Sequence, residues 1–242
     1  MTIARAALLA ALMSGCTTVS TPFTETFDAT ELYVVEGRLD NGDFNYNGAA
    51  TTELAVDGLS WGHAASQGRA ADRESQNRWT ITPSPPALLL DTSSGASSAG
   101  VDLSITGPDL MDLDVISDSG LVTLQDVEGY QVVTADRITG SRLVGDVDLY
   151  ARAGDLDVEV WPWVEGVVRV ETESGGLDLY LPWGLEYDLQ VWGDENYELV
   201  VEDLGFARST AGVAYFAATT GFGTIRVDVY ATGGPVRVME LR

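Results

Sequence analysis

Apolar and polar residues alternate in short runs over much of the chain, as in Val101-Asp-Leu-Ser-Ile105, Met111-Asp-Leu-Asp-Val115, Leu156-Asp-Val-Glu-Val160 and Leu177-Asp-Leu-Tyr-Leu181. A period of two marks strands that bury one face and expose the other. The runs are separated by corners at Ser117-Asp-Ser-Gly120, Thr134-Ala-Asp-Arg137, Ala151-Arg-Ala-Gly154 and Thr172-Glu-Ser-Gly175. Taken at Gly120, Arg137, Gly154 and Gly175, successive corners are 17, 17 and 21 positions apart, the last lengthened around Trp161-Pro-Trp163. A repeat this short cannot bury its apolar face alone, but stacked copies share one continuous core. Glycine suits a tight corner that a Cβ would oppose. Arg137 breaks that rule, so either the second corner is built differently or the register slips there.

Toward the N-terminus, Glu31-Leu-Tyr-Val-Val-Glu36 and Asp43-Phe-Asn-Tyr-Asn47 flank an Asn41-Gly42 turn, and Leu54-Ala-Val-Asp57 continues the strand pattern. From Trp61 to Pro86 the alternation stops, and Gln, Arg, Asn, Ser and three prolines predict an irregular insertion with a short polar helix near Ala70. After Pro182 the pattern loosens. It resumes at Thr224-Ile-Arg-Val-Asp-Val229 and Pro235-Val-Arg-Val238, which are expected to close the domain. The fold expected is all-β: a single β-solenoid of stacked repeats with an irregular insertion near residues 61–86. A β-sandwich with accidental hairpin spacing is the alternative.

The first residues change the picture of where this domain works. Arg5, the apolar run Ala6 to Met13 and the small residues Ser14-Gly15 before Cys16 form a secretory signal too short to span a bilayer. Residues 1–15 are therefore expected to be a signal peptide. Met13-Ser14-Gly15-Cys16 resembles a bacterial lipobox, which implies lipid attachment at Cys16; Met in place of the usual Leu is a mild departure. Thr17, rather than Asp, follows the cysteine, which in a Gram-negative cell resembles the pattern of lipoproteins sent on to the outer membrane. Residues 16–26, rich in Ser and Thr, have a tether composition, leaving 27–242 for the solenoid. One cysteine in 242 residues permits no internal disulfide.

Charge narrows the partners. With 37 carboxylates against 13 cations, the formal net charge is −24. Such a field repels nucleic-acid phosphates and anionic headgroups, so nucleic acid is excluded as an expected partner.

Candidate chemistry is sparse. His63 is the sole histidine, lysine is absent, and no Gly-x-Ser-x-Gly, phosphate loop or His-Glu-x-x-His motif occurs. No catalytic residue, cofactor or metal ligand is therefore assigned. Acid rows stand out: Asp155, Asp157 and Glu159 would share one strand face at ~6.5–7 Å intervals, near glycosidase separations, and Asp112/Asp114 and Asp146/Asp148 repeat the spacing. The same rows arise wherever a strand turns one face to water, and they are read as solvated outer faces. A Ca²⁺ ladder is the sharper alternative, though only Gly175-Gly-Leu-Asp178 resembles a calcium-solenoid repeat, and weakly. Trp161, Trp163, Trp183 and Trp192 are expected to cap the open end of the core; stacking on sugars or a protein partner is the alternative.

The run from Met111 to Pro182, with Ser-Gly corners followed by alternating Leu and Val, and the closing Leu179-Tyr-Leu-Pro-Trp-Gly184, resembles the bacterial envelope domains called putative adhesin or toast-rack domains. The resemblance implies a β-solenoid of unknown function on an anchored or secreted chain, and brings no active site. The expected function is a non-catalytic, lipid-anchored envelope module acting as scaffold, sensor or binding surface, with the membrane as partner through Cys16 and a protein or polysaccharide as ligand. A polysaccharide-active enzyme on the same solenoid is the alternative.

Overall fold

The computed structural model describes residues 16–202, 204–206 and 208–241; the expected signal peptide at 1–15 lies outside the described residues. Nineteen strands and one helix are present among them. The first half contains β1 (Thr17–Asp28), β2 (Val34–Leu39), β3 (Phe44–Ala49), β4 (Glu53–Ala64), α1 (Gln67–Glu74), β5 (Arg78–Ser84), β6 (Ala87–Ser93), β7 (Ala99–Pro108), β8 (Asp112–Ser117) and β9 (Leu121–Ala135). The second half contains β10 (Arg137–Ala151), β11 (Leu156–Trp161), β12 (Val167–Thr172), β13 (Leu177–Leu181), β14 (Tyr187–Trp192), β15 (Leu199–Val201), β16 (Arg208–Ala211), β17 (Tyr215–Thr219), β18 (Ile225–Ala231) and β19 (Val236–Glu240).

Pairing sorts these strands into two facing layers. Sheet I runs β5, β6, β2, β8, the second half of β9, the second half of β10, β12, β18, β14, β17, β16. Sheet II runs β1, β4, β7, β3, the first half of β9, the first half of β10, β11, β13, β19, β15. Each rung crosses from sheet I to sheet II at one corner and returns at the other, and neighbouring rungs pair in parallel. This is the stacked β-solenoid expected. The long strands β9 and β10 serve both sheets because they bend at Asp126 (φ 56°) and Arg142 (φ 52°), neighbouring bends whose side chains form an ion pair.

The alternating apolar residues meet between the layers. Val122, Leu124, Ile138, Leu149, Leu156, Val158, Val170, Leu179 and Val227 are all buried there. Two phenols join them: Tyr46 donates to the carbonyl of Pro108 and Tyr187 to that of Pro182, each at 2.7 Å. Burial pushes both phenols well above their ordinary pKa.

Rung order departs from chain order. The β2–β3 rung, first in the chain, lies between β6–β7 and β8–β9. The β18–β19 rung, last in the chain, lies between β12–β13 and β14–β15. The C-terminal strands therefore do not close the domain; they fill an interior rung. The ends are covered instead by antiparallel strands, β5 with β4 and β1 at one end and β17 with β16 at the other.

Two further expectations are corrected, and one left open is resolved. Residues 17–26 are not a tether: β1 pairs in unbroken register with β4, from Thr17 opposite Ala64 to Asp28 opposite Glu53. Its Thr-rich polarity suits an edge strand, where β-branched residues fit the pleat and Pro22 sacrifices no needed donor. The 61–86 segment is largely regular. β4 continues to Ala64, α1 forms where a polar helix near Ala70 was expected, and β5 is a second proline-bearing edge strand. Gly62 makes this packing possible, since a Cβ there would meet the Ala70 carbonyl of α1 at 2.4 Å. The second corner is a slip of register. Because Arg137 pairs with Leu121, it is Asp136 that stands beside Gly120 in the corner column.

Candidate functional site

The corners explain many of the aspartates. Amides at or beside the corners, where the chain passes from one sheet to the other, need acceptors. Asp43 accepts from the Leu121 amide at 2.8 Å, Asp112 from Tyr130 at 2.8 Å, Asp146 from Val167 at 2.9 Å and Asp155 from Gly176 at 2.7 Å. Asp102 accepts from both the Asp43 amide and the Trp61 indole. Asp112, Asp146 and Asp155, expected to be merely solvated, thus tie one rung to the next. Sequence alternation cannot separate the two roles, since both put Asp on the outer face.

The remaining acids of the rows stand on two outer faces. On sheet II, Asp157 and Glu159 lie in a groove of about 750 Å³ with Thr139, Ser141, Tyr180 and Glu202. Glu159 accepts from the Trp161 indole at 2.9 Å. Asp157 pairs in register with Asp178, whose carboxylate lies 3.6 Å from Arg237. Partial burial, then the charges of Asp178 and Asp155, raise the Asp157 carboxyl above its ordinary 3.8.

A raised carboxylate pKa has a definite sign. The folded protein holds the proton more tightly than the unfolded chain, so the charged form penalises folding above the raised value and the penalty vanishes below the unfolded value. Asp157→Asn is expected to raise the melting temperature at neutral pH, with the gain fading as the pH falls below ~3.9. Thermal melts of both proteins at the two pH values check this.

On sheet I, Asp148, Arg169, Asp228 and Gln190 form one row across β10, β12, β18 and β14. In the next row, Tyr230 stacks on Trp192 at 4.5 Å and 1°, and Trp192 meets Tyr215 at 5.5 Å. Tyr230 and Trp192 each cover one face of the other, and the Arg169 guanidinium lies 5.9 Å from the Tyr230 ring, so the pair stiffens the sheet. The tryptophans do not cap the core. Trp192 lies on this outer face, Trp183 and Trp161 are exposed, and Trp163 packs edge-on against Tyr130 at 5.3 Å. The core end beyond β14 is covered by Leu204, Phe206 and Phe216 instead.

Cys16 is exposed and immediately precedes β1. His63 is locally bonded, its Nδ1 lying 2.7 Å from the Thr18 hydroxyl and its ring 4.8 Å from Trp61. Gly175 stacks on Gly154 at a corner, which accounts for the Gly175-Gly-Leu-Asp178 resemblance without a ligand. Among the described residues no group of three or more His, Cys, Asp or Glu gathers as a metal site. No helix among them is long and apolar enough to cross a membrane. Asp228 carries no sequence signal beyond its place in an alternating strand.

No family model matches the chain, and no curated protein matches it. Solved structures do. A putative cell adhesion protein from Clostridium sporogenes is similar over 91% of this chain and 100% of its own, with a TM-score of 0.50 and 11% identity. A putative adhesin from Parabacteroides merdae aligns over 92% of this chain and 96% of its own, with a TM-score of 0.28 and 11% identity. The first likeness is one of fold, and at that level the expected resemblance to adhesin domains holds.

Proposed function

We propose that the chain is a lipid-anchored, non-catalytic binding module of the cell envelope, held at Cys16 and presenting the outer faces of its two sheets to a ligand. The observation that carries this reading is the position of Cys16. It is exposed, and one peptide step of ~3.8 Å separates it from a residue already in the sheet. Acyl chains on its thiol would leave the surface without disturbing any packed group. Two or three such chains anchor firmly, each buried methylene contributing ~0.8 kcal/mol. Thr17 supports sorting to the outer membrane. The fold shared with the Clostridium sporogenes protein supports the binding role.

Cys16→Ser is expected to move the protein wholly from the membrane fraction to the soluble fraction with its melting temperature unchanged. Retention of the Ser variant in membranes would sink the anchor.

A second reading, an enzyme acting on polysaccharide, is favoured by one observation: Asp157, with its raised pKa, and Glu159 share the sheet II groove. Hydrolysis of an envelope glycan by the wild type, abolished in Asp157→Asn, would establish it in place of the first.

A further inference from the structure

Between β9, β10, β12 and β18, the outer face of sheet I holds a cleft of about 370 Å³. Tyr130 and Val132 form one side, both about half exposed, and Asp148, Arg169, Arg226 and Asp228 form the other. Asp228 is the unusual member. It points away from the core, as its neighbours Val227 and Val229 fill the inner face, yet it is only 5% exposed. Its Oδ2 forms an ion pair with Arg226 Nε at 2.7 Å, while its buried Oδ1 has no hydrogen-bond partner among the described residues. An unpartnered carboxylate oxygen taken out of water costs free energy unless a donor reaches it.

The charges around it restrict that donor. Asp146, Asp148 and Asp228 would repel an anion, and Arg169 and Arg226 would repel a simple cation, so neither class gains from the whole cleft. A neutral molecule with closely spaced groups that both donate and accept fits all of them. Hydroxyls can donate to Asp228 Oδ1 and accept from the guanidiniums. The apolar side matches as well. Tyr130, braced against Trp163, and Val132 offer a surface for C–H groups. The volume lies at the small end of ligand sites, ~300–1,000 Å³.

We infer that this cleft binds one sugar residue of a neutral glycan, with Asp228 accepting from its hydroxyls and Tyr130 covering its C–H face. The inference rests on the binding-module reading, whose ligand it specifies, and is independent of the anchor.

The test is nuclear magnetic resonance of the full chain carrying Cys16→Ser, titrated with methyl glycosides of glucose, galactose and mannose and with N-acetylglucosamine. At least one sugar is expected to shift the backbone amides of Tyr130, Val132, Arg169 and Asp228 and to leave Thr139 and Tyr180 on sheet II unmoved. Tyr130→Ala, at an exposed position, and Asp228→Asn should each weaken that sugar at least tenfold. Should Asp228→Asn fail to fold, Tyr130→Ala carries the result. Shifts confined to the sheet II groove would overturn this site while leaving a binding module. Silence at both faces, with a lysine-rich peptide shifting the sheet I amides instead, would overturn the sugar but keep the cleft. Silence toward every probe at both faces would count against the cleft and the binding module together.

Discussion

Alanine at position 120 is expected to destabilise the protein by ~3 kcal/mol or more, the combined effect of a strained backbone and an overlap that cannot relax. Gly120 sits at φ +140°, and a Cβ there would lie 2.1 Å from the Gly42 carbonyl oxygen of the adjoining rung. The obstructing atom is backbone, in the short corner that joins β2 to β3, and both of these strands are paired on both sides, so relief would require moving a whole rung. Gly68 is the control. It lies in α1 with nothing near its Cβ position, so alanine there should be neutral or stabilise by up to ~1 kcal/mol through helix propensity. Urea unfolding of the two variants beside the wild type checks the contrast. Equal midpoints for Gly120→Ala and the wild type would show that the corners are not stacked as described.

Removing β18 and β19 should have a larger effect still. In a solenoid whose rungs follow chain order, truncation before Thr224 would peel off the last rung and leave the rest folded, because each rung depends only on its neighbours. Here the lost rung is interior. β12 and β13 would lose one neighbour each, and β14 and β15, with β17 and β16 beyond them, would lose their connection to the stack. Buried Ile225, Val227, Val229, Val236 and Val238 would leave the centre of that half of the core. The truncated chain is expected to lose its cooperative thermal transition, or to retain one only for the rungs up to β13. A melting curve matching the full chain in midpoint and amplitude would contradict the intercalated order.

The central repeats were legible because Leu and Val alternate strictly there, and one-sided burial of a strand imposes that pattern. Rung order was not legible. Periodicity reports that a strand has a buried face and says nothing about which rung lies beside it, so β18 and β19 read as a closing pair. Edge strands escaped for a related reason. β1 presents Thr and Ser on both faces and β5 carries Pro83, and such sequences resemble linkers because an edge demands little of the side chains. At the candidate sites, the proposal for Cys16 rests on its local sequence context. Asp228 could not be, since what buries it is contributed by strands far away in the chain, including Arg169 on β12. Asp155 and Asp157, two residues apart, looked alike in sequence. One proves to hold the Gly176 amide and the other to line a groove.

The proposed anchor is the premise on which the proposed envelope function stands, and the N-terminal peptide of the protein isolated from cells tests it most directly. Mass spectrometry of protein isolated from membranes is expected to find a chain beginning at Cys16 and carrying a diacylglyceryl group on its thiol. A chain that retains residues 1–15, or one that carries an unmodified Cys16, would contradict it.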